Sequence, residues 1–293
     1  MGAMRRATLD PRPARSYLAS IMKQPTFFIP HGGGPCFFLN PDGSCPPMWE
    51  AMRDYLARII PSLPERPRAI LYVSAHWIEP HFSVLTTPKP DLYYDYYGFP
   101  PHTYDLRWDA PNDLALARRA EELLQQAGFE TGEEAHRGWD HGVFVPMKVA
   151  LPDADIPVAQ LSLAAPRTGA DFDADLHIRA GKALAPLRDE GVLIIGSGMS
   201  FHNMRLRDGS VQTYADTFDD ALSATVCDPD PERRNAGLAH WADLPMARVA
   251  HPPHGEEHLI PLMVAAGAAG EDQGVHMFRD HVIGWTVSAF RFG

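Results

Sequence analysis

Fourteen histidines are spread over 293 residues, and their neighbours single out a few of them for chemistry. Phe27-Phe28-Ile29-Pro30-His31 ends one apolar run, and Ile70-Leu71-Tyr72-Val73-Ser74-Ala75-His76 ends a second. A third, Leu193-Ile194-Ile195-Gly196-Ser197-Gly198, leads through a short turn to His202. In open α/β sheets ligands bind beyond the carboxyl ends of the strands, so histidines delivered there from distant positions could converge on one ion. Neutral imidazoles that leave coordination positions open suit a non-haem Fe(II), and the same donors also hold Zn. Gly32-Gly33-Gly34 follows His31, while Gly196 and Gly198 precede His202, giving a crowded site tight turns and close backbone approach. The glycine run lacks the Walker lysine and the GxGxxG spacing, which sets aside a phosphate-cradling role.

The densest set of metal-ligand types is His251-Pro252-Pro253-His254-Gly255-Glu256-Glu257-His258, followed by the apolar run Leu259-Ile260-Pro261-Leu262-Met263-Val264. His254 to His258 fits H-x-x-E-H, the inverted zinc-peptidase motif, which makes a zinc-dependent hydrolase the alternative function. That motif needs His254 inside a helix, whereas Pro252, Pro253 and Gly255 favour a helix start nearer Glu256. His141, in Trp139-Asp140-His141-Gly142, reads on its own as a helix-end histidine held by Asp140.

The elements that must carry these side chains alternate in type. Apolar, β-rich runs at Thr26 to Ile29, Ala69 to Ser74, Phe82 to Thr86, Ile156 to Leu161, Val192 to Gly196 and Trp285 to Phe290 predict strands buried on both faces. Helical periodicity predicts helices at Met48 to Ile60, Asp113 to Ala127, Ala174 to Arg188, Tyr214 to Val226 and Glu257 to Ala269. Strands alternating with helices, without a break in composition, imply one α/β domain over residues 25–293. Residues 1–24, with Arg5, Arg6, Arg12 and Arg15 against Asp10 alone, read as a flexible N-terminal tail. Pro88 to Pro101 is a long proline-rich loop of the kind more often functional than idle.

A net charge of −11 without a Lys/Arg stripe argues against nucleic acid as a partner. The apolar runs fall short of the roughly 20 residues that span a bilayer, which argues against membrane insertion. Cys36, Cys45 and Cys227 form an odd set without CxxC spacing, which fits a reducing cytoplasm.

Six segments, in this order, resemble the class III extradiol ring-cleaving dioxygenases, most closely the DOPA 4,5-dioxygenase branch. They are Pro30-His31-Gly32-Gly33, Ser74-Ala75-His76-Trp77, Tyr94-Asp95-Tyr96-Tyr97-Gly98-Phe99-Pro100, Asp140-His141-Gly142 with Val145-Pro146, Gly196-Ser197-Gly198 with His202-Asn203, and Glu257-His258-Leu259-Ile260-Pro261-Leu262. The resemblance implies a central mixed β-sheet flanked by helices, with a metal pocket at the sheet edge. It implies Fe(II), with Zn able to take its place, held by His31, His76 and His258. Glu257 is a reserve ligand, since the related protocatechuate branch uses a glutamate thereabouts, and His254 is another. His202 would be the pocket acid/base, close enough to the metal to count as a ligand, and His141 would line the substrate side. Tyr96, Tyr97 and Phe99 offer aromatic walls. The implied reaction opens a catechol-type small molecule with O2 to a muconic semialdehyde-type product. Arg107, Arg167 and Arg205 are candidates to meet a substrate carboxylate, and assembly into a homo-oligomer is left open.

Overall fold

In the computed structural model, which describes residues 22–206 and 211–293, the apolar runs form one mixed sheet. Its strands are β1 (Thr26–Pro30), β2 (Ala69–Glu79), β3 (Phe82–Leu85), β4 (Thr131–Glu134), β5 (Val158–Ala164), β6 (Val192–Gly198), β7 (Gly274–Val282) and β8 (Trp285–Phe292). They lie in the order β4-β3-β5-β2-β6-β1-β8-β7. The four central strands, β5, β2, β6 and β1, are mutually parallel, while β8 runs antiparallel to β1 and β3 antiparallel to β5. Every residue of β1, β5 and β6 is buried, as expected of parallel strands covered on both sides.

The helices are α1 (Glu50–Ala57), α2 (Leu114–Gln126), α3 (His141–Ala150), α4 (Ala174–Leu184), α5 (Pro186–Asp189), α6 (Gln212–Val226), α7 (Pro231–Ala239), α8 (Ala247–Ala250) and α9 (Ile260–Ala269). Consecutive strand residues point to opposite faces. Ser197 donates to the Gly142 carbonyl in α3, while Gly196 lies against the Pro261 carbonyl in α9, so helices cover both faces of β6. α9 is buried along its whole length, as its unbroken apolarity requires.

The expected elements all form; β2 runs on to Glu79, and three of the helices have displaced boundaries. The helix expected from Ala174 to Arg188 divides at Pro186, which has no N–H for the preceding turn and starts a helix of its own. The helix expected from Glu257 begins only at Ile260, after turns through Pro252 to Leu259. The first helix shortens to Glu50–Ala57, flanked by 3-10 turns at Pro47–Trp49 and Ile60–Ser62. α2 starts where expected because the Asp113 carboxylate accepts from the N–H groups of Ala115 and Leu116. Residues 1–21 of the expected tail lie outside the described residues. Gln24 is buried, and its N–H donates to the Arg188 carbonyl.

Not every buried histidine belongs to a site. His177 in α4 donates from Nδ1 to the Asp173 carbonyl at 2.7 Å, and its Nε2 accepts from the Ala164 N–H at 3.2 Å, which fixes the neutral tautomer. Burial pushes its pKa down to about 4. The unfolded chain binds that proton first, near pH 6.5, so stability present above that pH is lost as pH falls toward 4. Between pH 7 and pH 5 this one group is expected to remove about 2 kcal/mol. Urea midpoints of the wild type and His177→Gln at the two pH values check it, the variant showing the shallower dependence.

Candidate metal centre

The carboxyl end of β6 gathers the site. The Gly198 carbonyl accepts from the His31 N–H at 3.1 Å, and the Met199 N–H donates to the His258 carbonyl at 2.9 Å. In the turn that follows, the His202 N–H donates to the Ala250 carbonyl at 3.2 Å. A Cβ on Gly198 would stand 1.9 Å from the His258 carbonyl oxygen, so only glycine lets the two segments approach this closely. His76 comes from an irregular part of β2: between Val73↔Leu161 and Ile78↔Leu163, β2 advances five residues while β5 advances two. Such irregularities re-aim side chains, and here they aim one at the site.

His31, His76 and His258 therefore meet, each offering a donor atom within 4.8 Å of the others. The Nε2 atoms of His31 and His76 are 3.0 Å apart. Bonds of about 2.1 Å to one ion, at angles between octahedral and tetrahedral, place donors about 3.0–3.4 Å apart. What lies behind each ring points the same way. Nδ1 of His258 donates to Glu257 Oε1 at 2.9 Å, Nδ1 of His76 faces Asp95 Oδ2 at 3.7 Å, and Nδ1 of His31 lies 3.4 Å from Ser197 Oγ. With each Nδ1 turned to one of these oxygens, Nε2 is the nitrogen left for a metal, the usual way that ligating histidines are oriented. Burial first, and neighbouring imidazoles second, hold His31 and His258 well below the usual histidine range and His76 down to about 3. Neutral, convergent imidazoles, two buried and His76 half-buried, fit a divalent transition metal.

Two further histidines flank the three. The His202 ring stacks on His258 with centroids 3.5 Å apart, and His202, Glu257 and His258 form a second cluster of donor atoms. His141 opens α3, its ring 3.9 Å from that of His76. It is held by Asp95, not by Asp140: Asp95 Oδ1 accepts from both its backbone N–H (2.9 Å) and its Nδ1 (2.8 Å). The Asp140 carboxylate is occupied by Ser74, Gln160 and Arg137. Burial works to raise the Asp95 carboxyl, but the His141 hydrogen bonds and nearby imidazole charge outweigh it and keep it below its ordinary value. Sequence reasoning quoted Asp95 within a motif and gave it no role.

These five imidazoles open on a cavity of about 410 Å³ whose lining includes Tyr96, Tyr97 and Phe99. Tyr96 is buried and donates its hydroxyl proton to the Thr103 carbonyl, whereas Tyr97 is 92% exposed at the rim. His254 stands apart, largely exposed and 3.9 Å from Asp171. The H-x-x-E-H motif is not helical, since His254 has φ +64° and α9 begins at Ile260, so His254 and His258 do not share a helical face.

Comparison with known proteins agrees with this geometry. The family described as the catalytic LigB subunit of aromatic ring-opening dioxygenase matches residues 25–289. The dioxygenase tasH of Hapsidospora irregularis is 37% identical over 290 residues, covering 92% of this chain and 85% of that one. The 4,5-DOPA dioxygenase extradiol of Beta vulgaris is 36% identical over 268 residues, 90% of this chain and 93% of that one. The crystal structure of an uncharacterized protein from Escherichia coli K12 superposes with a TM-score of 0.71 at 27% identity, covering 92% of this chain and all of that one. A five-histidine pocket at the carboxyl edge of a mixed sheet thus comes with a match along nearly the whole chain, and the protein belongs to the LigB family of extradiol-type, aromatic ring-opening dioxygenases.

Proposed function

We propose that this dioxygenase opens catechol-type rings beside their paired hydroxyls, consuming O2 and giving a muconic semialdehyde-type product. The observation that carries this reading is the convergence of His31, His76 and His258 as neutral donors, with His141 and His202 on the flanks of one cavity. In it, His31, His76 and His258 hold a non-haem Fe(II), for which Zn can substitute, and Glu257 orients His258 while standing as the reserve ligand. Iron held there would supply the one-electron chemistry towards O2 that zinc lacks.

The remaining steps fall to side chains. His202, stacked on His258 at the cavity wall, takes a hydroxyl proton as substrate binds and returns it later; an imidazole is suited to both tasks near neutral pH. His141, with Nδ1 hydrogen-bonded to Asp95, lines the cavity and is placed to stabilise negative charge developing on a substrate oxygen. Tyr96 and Phe99, with ring centroids 5.4 Å apart, supply an aromatic wall. The cysteines are free and, among the described residues, no helix is long and apolar enough to cross a membrane; both features suit a cytoplasmic enzyme.

The test is an anaerobic preparation loaded with Fe(II), mixed with a catechol and then exposed to air. Stoichiometric oxygen uptake with a yellow ring-opened product is expected, and zinc-loaded protein should give neither. Ester or peptide hydrolysis by the zinc form, with no oxygen uptake by the iron form, would instead return the function to the hydrolase reading.

A further inference from the structure

The β7–β8 hairpin turns on two residues, Ile283 and Gly284, between the paired Val282 and Trp285. Both have positive φ, +46° and +84°. Two-residue hairpin turns of this hand favour Asn-Gly, because a β-branched side chain at positive φ crowds its own backbone. Isoleucine here is the wrong residue for the turn, and a local conformation held against preference is a reason to look for a role. Ile283 lines the cavity that the five histidines open on.

The side chains around it are largely apolar: beyond the imidazoles, the tyrosines and the Gly32-Gly33-Gly34 turn, the cavity is lined by Trp49, Phe99, Met199, Met204, Ile283 and Trp285. Trp285 packs edge-on against His202, with centroids 5.7 Å apart, so this apolar wall begins beside the chemistry. Among the described residues, the arginines that a charged substrate might have met lie elsewhere. Arg107 donates to the Tyr94 hydroxyl and the Leu106 carbonyl and borders a different depression with Pro90 and Trp108, and Arg167 lines a separate groove beside Phe129. Arg205 is an exposed neighbour of Met204, outside the lining.

We propose that the cavity selects catechols whose ring substituent is uncharged and apolar, and that Ile283 is a specificity-determining residue whose strained turn completes the apolar wall. This rests on the catechol-cleavage reading and narrows it. A carboxylate or amino-acid side chain carried into such a wall gives up its hydration with no arginine or lysine to meet it among the described residues, whereas an alkyl or aryl group gains burial.

The test reads binding and turnover separately. Zinc-loaded holoprotein, which does not turn over, is titrated with 4-ethylcatechol, protocatechuate and 3,4-dihydroxyphenylalanine. The neutral catechol is expected to bind at least about tenfold more tightly than either charged one. Equal or tighter binding of the charged catechols overturns the proposal. Ile283→Asn should lower that preference by about threefold to tenfold while the Tm stays level or rises by about 2 °C, since asparagine suits the turn. An unchanged preference removes Ile283 from the role. Oxygen uptake by the Fe(II) form is measured in parallel: its absence with every catechol refutes the ring-cleavage reading, while the binding ratios still decide the preference.

Discussion

Alanine at His31, His76 or His258 is expected to leave less than about a tenth of the wild-type iron occupancy after anaerobic reconstitution, whereas alanine at His202 keeps the iron and loses the turnover. The reasoning is geometric. Each of the three offers a neutral donor to one point, and each has its Nδ1 side turned to Glu257, Asp95 or Ser197. Losing only such an orienting partner typically costs 10–100-fold in metal affinity, so losing the donor itself should cost at least that. His202 instead stacks on a ligand, with a cavity face of its own. Removing a proton-transfer group costs about 10²–10⁴ in rate, so His202→Ala should show a kcat per bound iron lowered by that order. Iron measured per protein, alongside oxygen uptake per iron, separates the two classes. Full occupancy in any one of the first three variants would strike that residue from the ligand set. Ordinary turnover per iron in His202→Ala would end its role as acid/base.

Much of this arrangement was legible in the sequence, for a physical reason. Continuous apolar runs ending in histidine can be read directly, because parallel strands are buried on both faces and carry their functional groups at one edge. That is how His31, His76 and His202 stood out. The signal fails where polarity is mixed. β7 alternates half-buried and exposed residues at the sheet edge, and β4 is Thr-Gly-Glu-Glu, so neither looks like a core strand. α7, Pro231 to Ala239, is mostly polar and offers little periodicity. In the site, the holder of His141 was misread because Asp140 adjoins it in sequence, whereas Asp95 reaches it from 46 residues away. A single carboxylate in a loop has no spacing to betray it; only the tertiary structure reveals that one side chain serves two histidines.

That double service makes Asp95→Asn the sharpest probe of how the site is kept in order. Asp95 Oδ1 accepts from the backbone N–H and Nδ1 of His141 at 2.9 and 2.8 Å, and Oδ2 faces Nδ1 of His76 at 3.7 Å. One half-buried carboxylate therefore holds the Nδ1 of a candidate charge-stabilising group and faces that of a candidate metal ligand. Asparagine matches its shape, but one of the two acceptors becomes an N–H donor facing an imidazole. The carbonyl oxygen must stay on the His141 side to accept its backbone N–H, so the new N–H faces Nδ1 of His76 and favours a proton on its Nε2, the donor to the metal, while His141 loses the negative charge of its partner. Iron affinity should fall about 10–100-fold through His76. At saturating iron, kcat should remain about 10²-fold or more below wild type through His141. Tm and secondary structure should hardly change, because the substitution is nearly isosteric. Asp95→Glu, which keeps the charge at a shifted distance, should recover part of the iron affinity. If Asp95→Asn bound iron normally and turned over at the wild-type rate, the carboxylate would be a structural tie for the Tyr94–Tyr96 loop, and the two histidines would owe their orientation to packing alone.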